Sequence, residues 1–230
     1  MLDAFLEWVM WGFCYDASLD WETGKRFTDT ERSVFPLLFD EWVKTQAVRV
    51  NHDKAWFDLF GLYYEAYVAG KSRRSSKGQF FTPSHICDLM VLTQGCEGQS
   101  GQRASDPTCG SGRLLLAFHA RFPGNLVYAE DLDRTCCLMT VCNFIIHGAV
   151  GEVVHHNSLL ADSWFDGWIV NEHLRNPFHS LCGIPHVRRL EQQESMVFCH
   201  WEQRKKEAEE QAVAVVEIQP LKQTQQLTLF

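Results

Sequence analysis

The sequence lacks several features that would assign it to a specialised class of protein. Its nine cysteines are odd in number and none stands in a Cys-x-x-Cys pair, which argues against a disulfide framework or a zinc site. No stretch approaches the roughly 18 uninterrupted apolar residues of a membrane span, and the apolar N-terminus has no basic region before it. These absences predict a reduced, cytoplasmic protein with free thiols, no membrane span and no metal.

The chain also lacks an excess of positive charge. It has 21 Lys and Arg against 29 Asp and Glu, a net charge of −8, so its overall field repels nucleic acid. Residues 71–150 alone are net positive, with eight basic and six acidic groups. Any contact with DNA must therefore be local, and the linker before Phe81 supplies Arg73, Arg74 and Lys77 for it. A solvated loop is the alternative interpretation of these three residues.

The 230 residues suit one domain with an appendage. Aromatic residues at helical spacing predict three or four helices over residues 1–70, and strands alternating with helices after Ser84 predict a parallel α/β sheet. Residues 189–211 are predicted to form a charged helix, and AVAVVEI, residues 212–218, a strand. The predicted regions are a helical N-terminal region with a basic linker (1–77), an α/β core (78–190), and a charged helix with a C-terminal tether (191–230).

The segment DPTCGSGRLLLAF, residues 106–118, carries the most information. A strand ends at Asp106, the chain turns through Gly110 and Gly112, and an apolar helix follows, which is typical of a ligand-binding edge in an α/β sheet. The spacing fits neither the dinucleotide fingerprint nor a phosphate loop. The acidic residue at the turn instead predicts a cationic or hydroxyl-bearing ligand.

A second acidic cluster closes the next predicted strand at Glu130 and Asp131. A carboxylate in this position can accept hydrogen bonds from the hydroxyls of a ribose. Two acidic strand ends beside one crevice therefore suit an adenosyl amino acid. Each acid taken singly is also compatible with helix capping, with Asp106 as a cap and the Glu130 cluster at a helix N-terminus.

These segments resemble successive motifs of amino-group DNA methyltransferases, especially the adenine-modifying subunits of type I restriction systems. The resemblance covers about residues 55–175 and is carried by DLFGLYYEAY, KGQFFTPSHICDLM, DPTCGSGRLLLAF, YAEDLD through CNFIIHG, and HHNSLL. It implies a class I S-adenosylmethionine-dependent methyltransferase core, Rossmann-like, with S-adenosylmethionine as cofactor. The cofactor-binding residues that it implies are Phe81, Thr82, Pro83, Asp106, Cys109, Gly110, Gly112, Glu130, Asp131 and Asn157.

The resemblance also implies a catalytic Asn-Pro-Pro-aromatic motif after the fourth strand, and here the sequence departs from it. Asn171 aligns with the asparagine, but Glu172, His173 and Leu174 replace the prolines and the aromatic residue. Asn176, Pro177 and Phe178 form a second candidate five residues later. Asn171 is the preferred counterpart.

The resemblance implies methyl transfer to an adenine amino group of DNA, with a specificity subunit as a partner. A catalytically inactive accessory protein with the same fold is the alternative, and methylation of RNA or of a protein glutamine amide is a third. The terminal Gln226, Leu227, Leu229 and Phe230 resemble a peptide by which bacterial replication proteins bind the sliding clamp. Packing of this tail on its own domain is the alternative.

Overall fold

The structure, a computed structural model, describes residues 1–16, 18–19, 25–52, 55–67, 81–94, 101–160 and 163–217. Within these residues the helices are α1 (Leu2–Phe13), α2 (Asp29–His52), α3 (Leu59–Tyr63), α4 (Ser84–Thr93), α5 (Arg113–Arg121), α6 (Arg134–His147) and α7 (Met196–Glu217). The strands are β1 (Arg103–Asp106), β2 (Leu126–Asp131), β3 (Val150–His155), β4 (Asp166–Val170) and β5 (Val187–Arg189). A short 3₁₀ turn, Gln192–Glu194, precedes α7.

The five strands form one mixed sheet in the order β1-β2-β3-β4-β5. The first three are parallel, with Asp106 beside Ala129 and Asp131 beside His155, so their carboxyl ends meet at one edge. Strand β4 runs antiparallel to β3, and β5 runs antiparallel to β4. The predicted α/β class is confirmed, whereas the prediction of a parallel sheet is wrong for β4.

The direction of β4 follows from the connection before it. Residues 156–165 join β3 to β4, and residues 156–160 and 163–165, which the structure describes, contain no helix. A parallel neighbour needs a crossover of a dozen or more residues, usually helical. The shorter connection returns the chain alongside β3, so β4 begins at the edge where β3 ends.

The two faces of the sheet pack against different helices. Val127 and Ala129 of β2 belong to the main core, which includes buried residues of α5 and α6. Tyr128 faces the other way and packs in a smaller cluster with Val154, Leu190 and Val197. The start of α7 closes this second face.

A buried carboxylate fixes α7 to the sheet. Glu152 of β3 accepts hydrogen bonds from Ser195 Oγ at 3.0 Å and from the Met196 backbone N–H at 3.0 Å. Free N–H groups at a helix N-terminus favour a negative charge. Burial raises the pKa of Glu152, and these donors offset part of that rise.

The aromatic helices before residue 68 share the main core. Phe5 of α1 packs edge-on against Phe35 of α2 and Phe60 of α3, at ring separations of 5.5 and 6.2 Å. Helix α1 also contacts α6, where Thr135 Oγ1 donates to Asp3 Oδ1 at 2.9 Å. The apolar surface of these helices therefore packs against the helical layer of the sheet.

The C-terminal strand prediction is wrong. Residues 212–217 continue α7, which runs from Met196 to Glu217. Extending an existing helix costs little, whereas an isolated β-branched segment needs a sheet partner to satisfy its backbone groups. Residues 218–230, with the clamp-like peptide, lie outside the described residues, as do Arg73, Arg74 and Lys77.

Among the described residues, no helix has the length and hydropathy needed to cross a membrane.

The pairing of β2 with β3 predicts a specific cost at Gly151. This residue lies opposite Val127, and a Cβ added to it would overlap the Val127 carbonyl oxygen. Gly151→Ala is therefore expected to lower the free energy of unfolding by about 1–3 kcal/mol, because the backbone must shift.

Gly12→Ala is the matched control, since Gly12 lies in α1 with open space around its Cβ position. That change is expected to be neutral or to raise the free energy of unfolding by up to about 1 kcal/mol. Urea unfolding measures both variants. A Gly151→Ala protein as stable as the native chain would contradict the β2–β3 register.

Candidate functional site

The glycine turn lies where the carboxyl ends of β1 and β2 meet. Gly110 and Gly112 have φ values of 57° and 81°, a left-handed conformation that strongly favours glycine. The Cys109 N–H donates to the Glu130 carbonyl oxygen at 2.9 Å, and the Gly110 N–H donates to Asp131 Oδ2 at 2.9 Å. The turn is therefore held against the end of β2, as the predicted ligand-binding edge requires.

Phe81 lies directly on this turn. A Cβ added at Gly110 would approach the Phe81 ring to 2.9 Å, so only a glycine leaves room for the aromatic side chain. Phe81 is also stacked on Tyr64, with ring centroids 5.5 Å apart. Two motifs separated by some thirty positions in the sequence thus meet at one place.

Two acidic side chains stand at the same edge. Burial raises the pKa of Asp106 and of Asp131, and the negative charge of Asp106 raises that of Asp131 further. Backbone N–H groups bind both carboxylates: Thr108 donates to Asp106 at 3.1 Å and Asp133 donates to Asp131 at 2.8 Å. Two neighbouring half-buried carboxylates favour a cationic ligand, because a positive charge offsets the repulsion between them.

Glu130 and Cys109 turn away from this edge. The Glu130 carboxylate is buried and lies 2.7 Å from His156 Nε2, on the sheet face opposite Asp131. Cys109 is buried too, and its thiol forms a hydrogen bond with Thr140 Oγ1 at 3.5 Å. Burial raises the pKa of this thiol well above its usual value. These two residues support the turn from within the protein.

The remaining predicted cofactor residues lie near the turn but contact it less closely. Thr82 and Pro83 are exposed where α4 begins. Asn157 is half-buried just after β3, and its Oδ1 accepts a hydrogen bond from the Leu159 N–H at 3.1 Å. The His156 N–H, one residue earlier, donates to the Asp131 carbonyl oxygen. Asn157 therefore stands at the same edge as Asp131.

Two cavities are lined by residues near the glycine turn, although none of residues 107–112 lines either of them. One of about 380 Å³ is lined by Trp56, Phe81, Pro83 and Arg113, among others. Another of about 330 Å³ lies under the start of α7 and is lined by Ser105, Glu130 and His200, among others. Of the predicted cofactor residues, Phe81 and Pro83 line the first cavity and Glu130 lines the second.

Asn171 lies at the opposite end of the sheet. It follows β4, next to the pair formed by Val170 and Gly151, near the start of β3. Strand β3 runs from Val150 to His155, so about 16 Å of strand separates Asn171 from the glycine edge, at about 3.3 Å per residue. The antiparallel direction of β4 is the reason for this position.

The Asn171 side chain is fully buried and engaged. Its Nδ2 donates to the carbonyl oxygens of Phe144 and Ala149 at 3.0 and 2.9 Å, and its Oδ1 accepts from the His186 N–H at 3.0 Å. Its φ of 59° is left-handed, a conformation that asparagine tolerates better than most residues. These bonds join the end of α6 to the segment that leads into β5.

The second catalytic candidate is exposed. Asn176 Oδ1 accepts a hydrogen bond from the Phe178 N–H at 3.1 Å within its own turn, and the Phe178 side chain is 96% exposed. The turn follows Asn171, beyond the end of β4. The structure therefore brings neither asparagine to the glycine turn, while it brings Phe81, Gly110, Asp106 and Asp131 together.

Sequence reasoning missed Asp58. Its buried carboxylate lies directly beneath the glycine turn and binds Ser111, Arg113 and Asn143. Asp58 precedes a helix, and its Oδ1 accepts the Gly61 N–H, so the sequence signal available was that of an ordinary N-cap. Contacts over more than fifty positions of sequence leave no local pattern.

The fold and the glycine turn define an α/β protein in which a left-handed glycine turn lies at the carboxyl ends of the first two strands. The model of one family, N-6 DNA Methylase, matches residues 56–212, a range that includes the turn, both acidic strand ends and β4. The chain belongs to the N-6 DNA methylase family.

The chain is also similar to the methylase subunit of the type I restriction enzyme MjaIX from Methanocaldococcus jannaschii. The two are 28% identical over 176 residues, which cover 64% of this chain and 30% of that subunit. No solved structure matches the chain.

The two asparagines are expected to differ sharply in their effect on stability. Asn171→Ala removes three buried hydrogen bonds, and only the Phe144 carbonyl oxygen keeps another donor, the Ala149 N–H, so the free energy of unfolding is expected to fall by at least about 2 kcal/mol. Asn176→Ala, in its exposed turn, is expected to change it by no more than about 0.5 kcal/mol. Equal effects in thermal or urea unfolding would contradict the structural role of Asn171.

Proposed function

We propose that the chain binds S-adenosylmethionine at its glycine turn and serves adenine methylation of DNA. The observation that carries the proposal is the meeting of Phe81, Gly110 and Asp131 at one strand edge in a member of the N-6 DNA methylase family. Three parallel strands with helices α5 and α6 between them support a class I, Rossmann-like cofactor core. The cofactor would supply an electrophilic methyl group on its sulfonium sulfur.

The side chains at this edge fit that ligand. Asp131 lies where its free lone pairs can accept hydrogen bonds from the ribose hydroxyls, beyond those it accepts from Gly110 and Asp133. The carboxylates of Asp106 and Asp131 complement the positive charges of the sulfonium and the ammonium group. Phe81 offers an aromatic surface against which an adenosyl group can pack.

The relative supplies the biological context. It is named as a methylase subunit of a type I restriction enzyme. By analogy, we propose that this chain acts on DNA together with a partner that provides sequence specificity. Arg73, Arg74 and Lys77 stay candidates for a local DNA contact, and the C-terminal peptide Gln226–Phe230 stays a hypothesis for clamp binding.

The position of Asn171 favours the alternative in which this chain is a catalytically inactive accessory protein. Methyl transfer to an amino group needs an acceptor held beside the cofactor's methyl, and reacting atoms misplaced by about 1 Å can cost about 100-fold in rate. Asn171 is buried about 16 Å of strand away from the turn, with its amide groups engaged. We therefore propose that this chain holds the cofactor but does not transfer the methyl group by itself.

Calorimetry tests the binding site. The native chain is expected to bind S-adenosylmethionine and its demethylated product, and Gly110→Ala is expected to weaken binding at least about tenfold, because the new Cβ clashes with Phe81. Gly183→Ala is the matched control: Gly183 has a φ of 77° but open space around its Cβ position. Equal affinity of the two variants would place the ligand elsewhere.

A transfer assay with tritiated S-adenosylmethionine tests the accessory role. The native chain alone is expected to incorporate no label above background into unmethylated DNA, although it binds the cofactor. Label in the N6 position of adenine would contradict the accessory role and show that the chain transfers the methyl group by itself. Parallel reactions with RNA and with protein as the methyl acceptor test the two other methylation substrates.

A further inference from the structure

The carboxylate of Asp58 is the most heavily bonded buried acid beside the proposed cofactor site. Its side chain is 2% exposed. Oδ1 accepts from the Gly61 N–H at 2.8 Å and from Asn143 Nδ2 at 2.9 Å, and Oδ2 accepts from Ser111 Oγ at 2.5 Å and Arg113 Nε at 2.6 Å. Four donors, one of them a guanidinium, are the arrangement that a buried carboxylate requires.

Three of these donors belong to the glycine turn and to the two helices behind it, α5 and α6. Ser111 stands between the two left-handed glycines, and Arg113 is the first residue of α5. Asn143 of α6 holds Asp58 and the turn together, since its Nδ2 also donates to the Ser111 carbonyl oxygen at 2.9 Å. Asp58 thus holds the turn and the start of α5 from the helical N-terminal region.

Arg113 extends this network to the other predicted cofactor residues. Its Nη2 donates to Glu65 Oε2 at 2.8 Å, and its Nη1 donates to the Thr82 carbonyl oxygen at 3.5 Å. Its guanidinium carbon lies 5.4 Å from the centre of the Phe81 ring. The same cation therefore contacts the Phe81-Thr82 segment and the start of α5.

We propose that Asp58 and Arg113 are positioning residues, through which the helical N-terminal region sets the geometry of the cofactor turn. This inference rests on the proposed binding of S-adenosylmethionine at that turn. Neither residue needs to touch the ligand. Asp58 acts through Ser111, and Arg113 acts through Phe81, whose ring must lie against Gly110 for the pocket to have its shape.

Asp58→Asn tests the proposal, with Glu152→Gln as a matched control. Both changes neutralise a buried carboxylate that accepts several hydrogen bonds, but Glu152 binds the start of α7 instead of the glycine turn. Both variants are expected to unfold at lower temperature than the native chain. Only Asp58→Asn is expected to weaken S-adenosylmethionine binding, by roughly tenfold or more.

A double variant separates positioning from general stability. Ser111→Ala removes the hydroxyl through which Asp58 acts, so it is expected to weaken binding as well. If the two residues act together, the Asp58→Asn/Ser111→Ala protein binds about as weakly as Asp58→Asn alone. Additive losses, or native affinity in a destabilised Asp58→Asn protein, would overturn the proposal.

Hydrogen exchange without ligand keeps this inference separate from the proposed function. The amides of Cys109, Gly110 and Gly112 are hydrogen-bonded in the folded turn. They are expected to exchange faster in Asp58→Asn than in Glu152→Gln at equal global stability. Slow exchange in both variants would refute the positioning role, whereas faster exchange in a native fold that binds no S-adenosylmethionine would refute only the proposed ligand.

Discussion

The short connection between β3 and β4 determines where Asn171 lies relative to the glycine turn. Residues 156–165 are too few for a helical crossover, so β4 returns antiparallel beside β3. That single constraint puts the start of β4 at the edge where the glycine turn lies, and its end at the far side. Asn171 consequently connects the end of α6 to the segment before β5, and its side-chain hydrogen bonds are made inside the protein.

The glycine turn is held in place by contacts from several parts of the chain. Asp131 holds it from β2, Thr140 and Asn143 hold it from α6, and Asp58 holds it from the start of α3. Phe81 covers it from the segment before α4. A turn fixed from this many directions is preorganised for a ligand, because little conformational freedom is left to be lost on binding. The proposed cofactor-binding edge is thus held from several sides, while Asn171 lies at the other end of the sheet.

Local sequence signals predicted the elements that build this edge. The apolar helix predicted after Gly112 is α5, and the strand predicted to close at Glu130 and Asp131 is β2. The direction of β4 depends on a connection length and on sheet pairing, which strand propensity does not report. The β-branched residues of AVAVVEI predict a strand, whereas in the structure the helix before this segment extends through residue 217. The Asp58 network joins residues more than fifty positions apart, and only the folded chain brings them together.

The central claim is that this member of the N-6 DNA methylase family holds S-adenosylmethionine against the turn between β1 and α5. A crystal structure determined in the presence of saturating S-adenosylmethionine tests it most directly. The account predicts the adenosyl group beside Phe81, with its ribose hydroxyls on Asp131 and the Asn171 side chain still buried. A turn without ligand at saturating concentration, or a cofactor bound in a different part of the molecule, would contradict it.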